Sequence, residues 1–136
     1  MNIESRTDRA KGLRTHVIRG PVNPPEIKNF LETLFLSGEF DPDIHSLWDM
    51  REAEFSSVSQ AEIREMACFA RVHWAEKHRY KIAVLITGDF RFGLSRMFEQ
   101  FIGPSAYGKI RSFRDLQLAL DWIEGKGTVV PPLPGG

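Results

Sequence analysis

Sulfur chemistry is nearly absent from this chain: among 136 residues the one cysteine is Cys68. A lone thiol closes no intramolecular disulfide, so the fold must stand on its core. A reactive thiol would need a lowered pKa, and only Arg64 and Arg71 lie near it in sequence, so a half-buried structural cysteine is expected. Net charge is missing as well. Eighteen Lys plus Arg balance eighteen Asp plus Glu, which leaves no long-range field to gather DNA, RNA or an anionic membrane surface. Nucleic acid is not expected as a partner. No apolar run approaches the roughly 20 residues that span a bilayer, and Met1 to Arg6 is too polar for a signal peptide. A cytoplasmic protein without membrane insertion is the expectation.

The motifs of common chemistries are missing too. His16, His45, His73 and His78 fall on separate elements or five residues apart, whereas two ligands on one helical face need a spacing of four. No metal is expected. Gly88 and Gly93 make neither a phosphate-cradling loop nor a dinucleotide fingerprint, so no cofactor is expected either. Asp49, Glu52 and Glu54 cluster after an apolar stretch, but loop carboxylates in such a cluster are ordinarily solvated, and nothing assigns a partner acid. With no nucleophile and base pair, metal set or phosphate loop, the chain reads as non-enzymatic.

What the chain does have is a change of hydrophobic period. Ile82 to Ile86 is uninterrupted and apolar and runs into Thr87-Gly88-Asp89, the pattern of a strand buried on both faces followed by a helix start. Leu94, Met97, Phe98, Phe101 and Ile102 then recur at helical spacing, as far as Gly103-Pro104. Upstream, Ile3 to Thr7 and Leu13 to Arg19 read as a hairpin whose turn uses the conformational freedom of Gly12. Asn23-Pro24-Pro25-Glu26 is a helix start, with Glu26 placed to reach back to the cap amide, and the helix runs from Pro24 to Leu36. Ile44 to Met50 reads as a strand with Ile44, Ser46, Trp48 and Met50 on one face and His45, Leu47 and Asp49 on the other. Ser59-Gln60-Ala61-Glu62 is a capping box for a helix to about Lys77, with Ile63, Met66, Ala67, Ala70 and Trp74 in one stripe. Tyr107 to Arg111 is a weaker strand. Ser112 to Asp115 reads as a second capping box, opening a last helix that buries Phe113, Leu116, Leu120 and Ile123 and ends at Gly125 and Gly127.

A hairpin followed by alternating helices and strands predicts one α/β domain over residues 1–127, with about five strands, the central ones parallel, and four helices. Residues 128–136 form a Pro/Gly-rich tail. Leu47 to Arg51, Lys81 to Leu85, Arg96 to Glu99, Ser112 to Asp115 and Ala119 to Ile123 together resemble the SpoIIAA-like proteins, small bacterial relatives of the STAS domains. The phrase over 112–123 is the most specific part. The resemblance implies a SpoIIAA-like sheet with βα superhelical winding, a fold shared with CRAL-TRIO lipid carriers. It implies no established activity. Together with the missing catalytic motifs it gives a non-enzymatic domain acting by protein-protein interaction, with a regulatory role as one form of it. The surplus phenylalanines with the CRAL-TRIO kinship give the alternative, a carrier of a small apolar or lipid-like ligand.

Three candidate sites follow. In STAS proteins that antagonise anti-sigma factors, an Asp-Ser-Ser/Thr-Gly motif carries a phosphorylated serine at a helix start. Here Glu54-Phe55-Ser56-Ser57-Val58-Ser59 keeps the serines and lacks the flanking Asp and Gly. Ser56 and Ser57 are the phosphorylation candidates, against the simpler role of helix capping with Ser59 as cap. A phosphate there would meet Glu52 and Glu54 unless Arg51 turned toward it, so regulation at these serines is not expected. The second site is the turn at Gly88, where Arg91 and Arg96 could hold an anion at the carboxyl end of a buried strand. The third rests on ten phenylalanines and three tryptophans. Phe90, Phe92, Phe98 and Phe101 on one helix exceed a single core stripe, which points to an apolar pocket or to the interface of a homodimer.

Overall fold

Gly12 takes φ +62° in the turn that makes the first hairpin, and its N–H donates to the Arg9 carbonyl at 3.2 Å. In the computed structural model, which describes residues 1–37, 41, 43–74, 81–102 and 110–125, this hairpin joins β1 (Asn2–Asp8) to β2 (Leu13–Pro21). Ser5 lies opposite His16 across the antiparallel pair. β3 (His45–Glu54), β4 (Ile82–Leu85) and β5 (Ile110–Phe113) then add in parallel, so the five strands stand in the order β1-β2-β3-β4-β5. The strand read over Ile44 to Met50 runs on to Glu54, because its continuation pairs with Arg19 to Pro21 of a longer β2 past an irregularity after Val17. Of the weak strand at 107–111, residues 107–109 lie outside the described residues, as do Lys77, Gly103-Pro104, Gly127 and the tail.

Strands laid down one after another in a single direction, joined by crossovers of one hand, put their helices on one face of the sheet. Three connecting helices do this: α1 (Pro24–Leu36), α2 (Gln60–Trp74) and α3 (Asp89–Ile102). Their core joins Ile18, Val22, Ala53, Val84 and Ile86 of the sheet side to Ile27 of α1 and Leu94 of α3. The last helix, α4 (Leu116–Glu124), has no further strand to feed and covers the other face, with Ala119 and Ile123 against Leu47, Ala83 and Leu85. Lys81 Nζ donates to the Trp122 carbonyl at 2.7 Å, which fastens the end of α4 to the start of β4. The alternation read in β3 therefore holds, Trp48 and Met50 facing three helices and Leu47 facing one.

Caps fix most helix starts where the sequence placed them. Asn23 Oδ1 accepts from the Glu26 N–H at 3.1 Å, although the Asn23 N–H faces Met1 Sδ at 3.5 Å, so Glu26 does not close the expected box. At α2 the box is complete: Ser59 Oγ accepts from the Glu62 N–H and Glu62 Oε1 accepts from the Ser59 N–H. At α4 the expected box from Ser112 is wrong. Asp115 is the cap, its carboxylate accepting from the Leu118 N–H at 3.0 Å. Ser112 belongs to β5 because Phe113 is held in the ladder, its carbonyl accepting from the Ile86 N–H at 2.9 Å. Gly125 closes α4 in the left-handed region at φ +79°. Among the described residues no helix is long and apolar enough to cross a membrane.

Candidate functional site

α2 presents two alanines, Ala67 and Ala70, to the sheet, where larger side chains would fill the layer. Beside them lies a cavity of about 120 Å³. Trp48, Val84 and Ile110 form its floor on three neighbouring strands, while Leu31, Met66 and Phe98 close it from the three helices. Among the described residues, Ser95, on α3, is the one hydroxyl-bearing residue in the wall. It does not stand alone: Ser95 Oγ is 2.5 Å from Ser112 Oγ, and Ser112 donates to Glu99 Oε2 at 2.5 Å. Ser95 and Glu99 are one helical turn apart and meet the same strand residue. Burial raises the Glu99 carboxyl pKa above its usual range, while the Ser112 hydrogen bond and the charges of Arg96 and Arg111 oppose that rise. The wall is thus apolar with one hydroxyl backed by a half-buried acid.

Trp48 has a second neighbour on its other side. His16, with none of its surface exposed, packs against Trp48 at 4.4 Å between ring centres and edge-on to Phe30 at 5.2 Å. Its Nδ1 lies 2.7 Å from Ser5 Oγ. Burial first, then the Arg14 charge, lowers its pKa to about 3, so the ring is neutral. A polar hollow of about 200 Å³ lies beyond it, bounded by Ser5, Thr7, Arg9, Arg14 and Phe30.

The three sites expected from sequence are dispersed differently. Ser56 and Ser57 are exposed in the tight turn between β3 and α2, where the Val58 N–H donates to the Phe55 carbonyl, and the cap is Ser59. Arg51 turns to Asp49, with contacts at 2.9 and 3.0 Å, and holds that carboxyl below its ordinary range. Gly88 is exposed at the start of α3, and Arg91 donates to the Arg51 carbonyl at 3.2 Å. Arg96 is five residues further along the helix and exposed, on a different face from Arg91, so the two guanidiniums are not brought together by α3. Asp89 instead meets Arg114 at 2.8 Å. Of the four phenylalanines, the Phe90 side chain lies outside the described residues. Phe92, Phe98 and Phe101 are half-buried against core clusters, and only Phe98 reaches the cavity wall. The exposed large apolar side chains among the described residues are Leu36, Leu116 and Leu118. Cys68 is exposed rather than half-buried, since it sits on α2 away from the stripe that Ile63, Ala67 and Ala70 bury.

Sequence reasoning missed Ser95, Glu99 and Ser112 as a group. A usable signal was present: a serine and a glutamate one turn apart, beside the apolar Leu94 and Phe98, put polar groups on an apolar stripe.

A five-stranded sheet with one antiparallel edge pair, three helices on one face and one on the other, is a SpoIIAA-like fold. The chain is similar over 90% of its length, and over 92% of the other's, to the crystal structure of an uncharacterized DUF3478 family protein with a SpoIIAA-like fold from Shewanella loihica PV-4. The TM-score is 0.55 and the sequence identity 18%. No protein-family model and no curated protein matches the chain.

Proposed function

We propose that this protein is a non-enzymatic SpoIIAA-like domain that carries a small apolar ligand between its sheet and its three-helix layer. The observation that carries this reading is the cavity of about 120 Å³ walled by aliphatic and aromatic side chains from six elements. A comparable engineered cavity of roughly 150 Å³ stays dry and binds benzene. The volume therefore suits a body of five or six carbons and excludes a long acyl chain, unless the helices part. Empty space of this kind costs the fold dispersion contacts that a ligand restores. The carrier reading is favoured over the interaction module because Phe55, Phe92, Phe98 and Phe101 pack against the core clusters, and the large exposed apolar groups among the described residues are three leucines.

Titration with benzene tests the reading by protein NMR. Saturable 1:1 binding is expected, with the largest shifts at Met66, Val84 and Phe98. Ala70→Leu, which adds bulk at the cavity wall, is expected to abolish binding while leaving the fold intact. Absence of binding to the wild type, or binding undiminished in Ala70→Leu, refutes the proposal.

A further inference from the structure

The hydroxyl in the cavity wall has a polarity that can be worked out by counting protons. Glu99 Oε2 accepts the Ser112 hydrogen, so Ser112 has no hydrogen left for Ser95. The 2.5 Å contact between the two serines must then be made by the Ser95 hydrogen, donated to Ser112 Oγ. Ser95 is left with lone pairs only. Its side chain is a wall of the apolar cavity and is 8% exposed, so bulk water does not serve those lone pairs. Resting on the carrier reading above, we propose that Ser95 presents a hydrogen-bond acceptor to the cavity and selects a ligand with a small apolar body and one donor group, a hydroxyl or an N–H.

The direction of the relay is held by the carboxylate at its far end. Burial favours the neutral acid of Glu99, and the Ser112 hydrogen bond with the charges of Arg96 and Arg111 favours the ionised form, so the relay direction is that of the ionised carboxylate above its raised pKa. While Glu99 is ionised it can only accept, and the order Ser95 to Ser112 to Glu99 cannot reverse. A ligand that brings only an acceptor, such as a ketone, finds no hydrogen at Ser95. A ligand that brings a donor completes a chain of three hydrogen bonds in a medium of low polarity, where an unmet polar group is costly.

Cyclopentanol and cyclopentanone differ by the donor and little else in bulk, and both are of a size with the cavity. Their affinities are compared at pH 8, alongside benzene as a probe without a polar group. Wild type is expected to bind cyclopentanol roughly fivefold more tightly than cyclopentanone, the size of one net hydrogen bond. Ser95→Ala is expected to lose that preference, binding the two five-carbon probes about equally. Ser112→Ala removes the acceptor for the Ser95 hydrogen and frees it to turn inward, so preference is expected to move toward cyclopentanone. The wild-type comparison needs no variant to fold. If benzene binds and the two five-carbon probes bind equally, or the ketone binds better, the donor selection is overturned while the cavity reading stands. If none of the three binds, the cavity reading falls and the donor selection falls with it.

Discussion

His16 lies on β2, next to the edge strand, with no exposed surface and a pKa lowered to about 3, against 6.5 for the unburied ring. The native protein binds a proton at this site only near pH 3, whereas the unfolded chain binds one below 6.5. Between those limits the unfolded state holds more protons, so stability falls as pH falls, by about 1.4 kcal/mol per pH unit. Glu99 acts with the opposite sign. Its folded pKa is raised, so the native state holds the extra proton, and its contribution is present at low pH and lost as pH rises through the folded value. Urea unfolding from pH 7 down to pH 5 should therefore show a falling midpoint in the wild type, dominated by His16. His16→Gln is expected to flatten that fall, and Glu99→Gln to steepen it. A wild-type slope preserved in His16→Gln would assign the acid sensitivity to another group.

At the level of elements, local patterns located what local chemistry determines. Asn23 and Pro24 carry the start signal of the helix expected over Pro24 to Leu36, and that helix forms. The capping box at Ser59 is likewise closed by atoms within four residues. Ser112 to Asp115 shows the limit of such reading. Its spacing satisfies a box, yet the parallel register of β4 with β5 claims Ser112 for the sheet and leaves the cap to Asp115. Register is a long-range property, and nothing within the four residues reports it. The two serines and Asp115 should accordingly respond differently to removal. Ser59→Ala and Asp115→Ala are each expected to cost about 1 kcal/mol, the usual worth of a cap. Hydrogen exchange separates the cap from the relay: the Leu118 amide should exchange faster in Asp115→Ala and at the wild-type rate in Ser112→Ala. Acceleration at Leu118 in Ser112→Ala would reinstate the box. Ser56→Asp and Ser57→Asp, in an exposed turn outside any cap, are expected to leave the unfolding midpoint unchanged.

For the molecule as a whole, the strand and helix alternation made the layer order readable, because crossovers of one hand leave three helices no choice of face. The cavity was not readable. It is the difference between the volume enclosed by three strands and three helices and the volume their side chains fill, and no single segment records that difference. The surplus of phenylalanine pointed to an apolar pocket, but of Phe90, Phe92, Phe98 and Phe101, Phe98 lines it, joined by Phe55 from outside that helix, and most of the described wall is aliphatic. A vacancy in the shared core belongs to the global stability of the fold, so a ligand filling it should stabilise every element together. With benzene at ten times its Kd the stabilisation is about 1.4 kcal/mol. For a chain of this length that raises Tm by roughly 3–6 °C. The rise should be the same whether followed by the helical signal in the far ultraviolet or by Trp122, which packs with Phe113 against α4's face of the sheet, on the side away from the cavity. Ala70→Leu, with the space already occupied, should show no rise. A rise seen by one signal and not the other would mean that benzene binds to a part of the protein that unfolds separately, and a rise retained in Ala70→Leu would place the ligand outside the cavity.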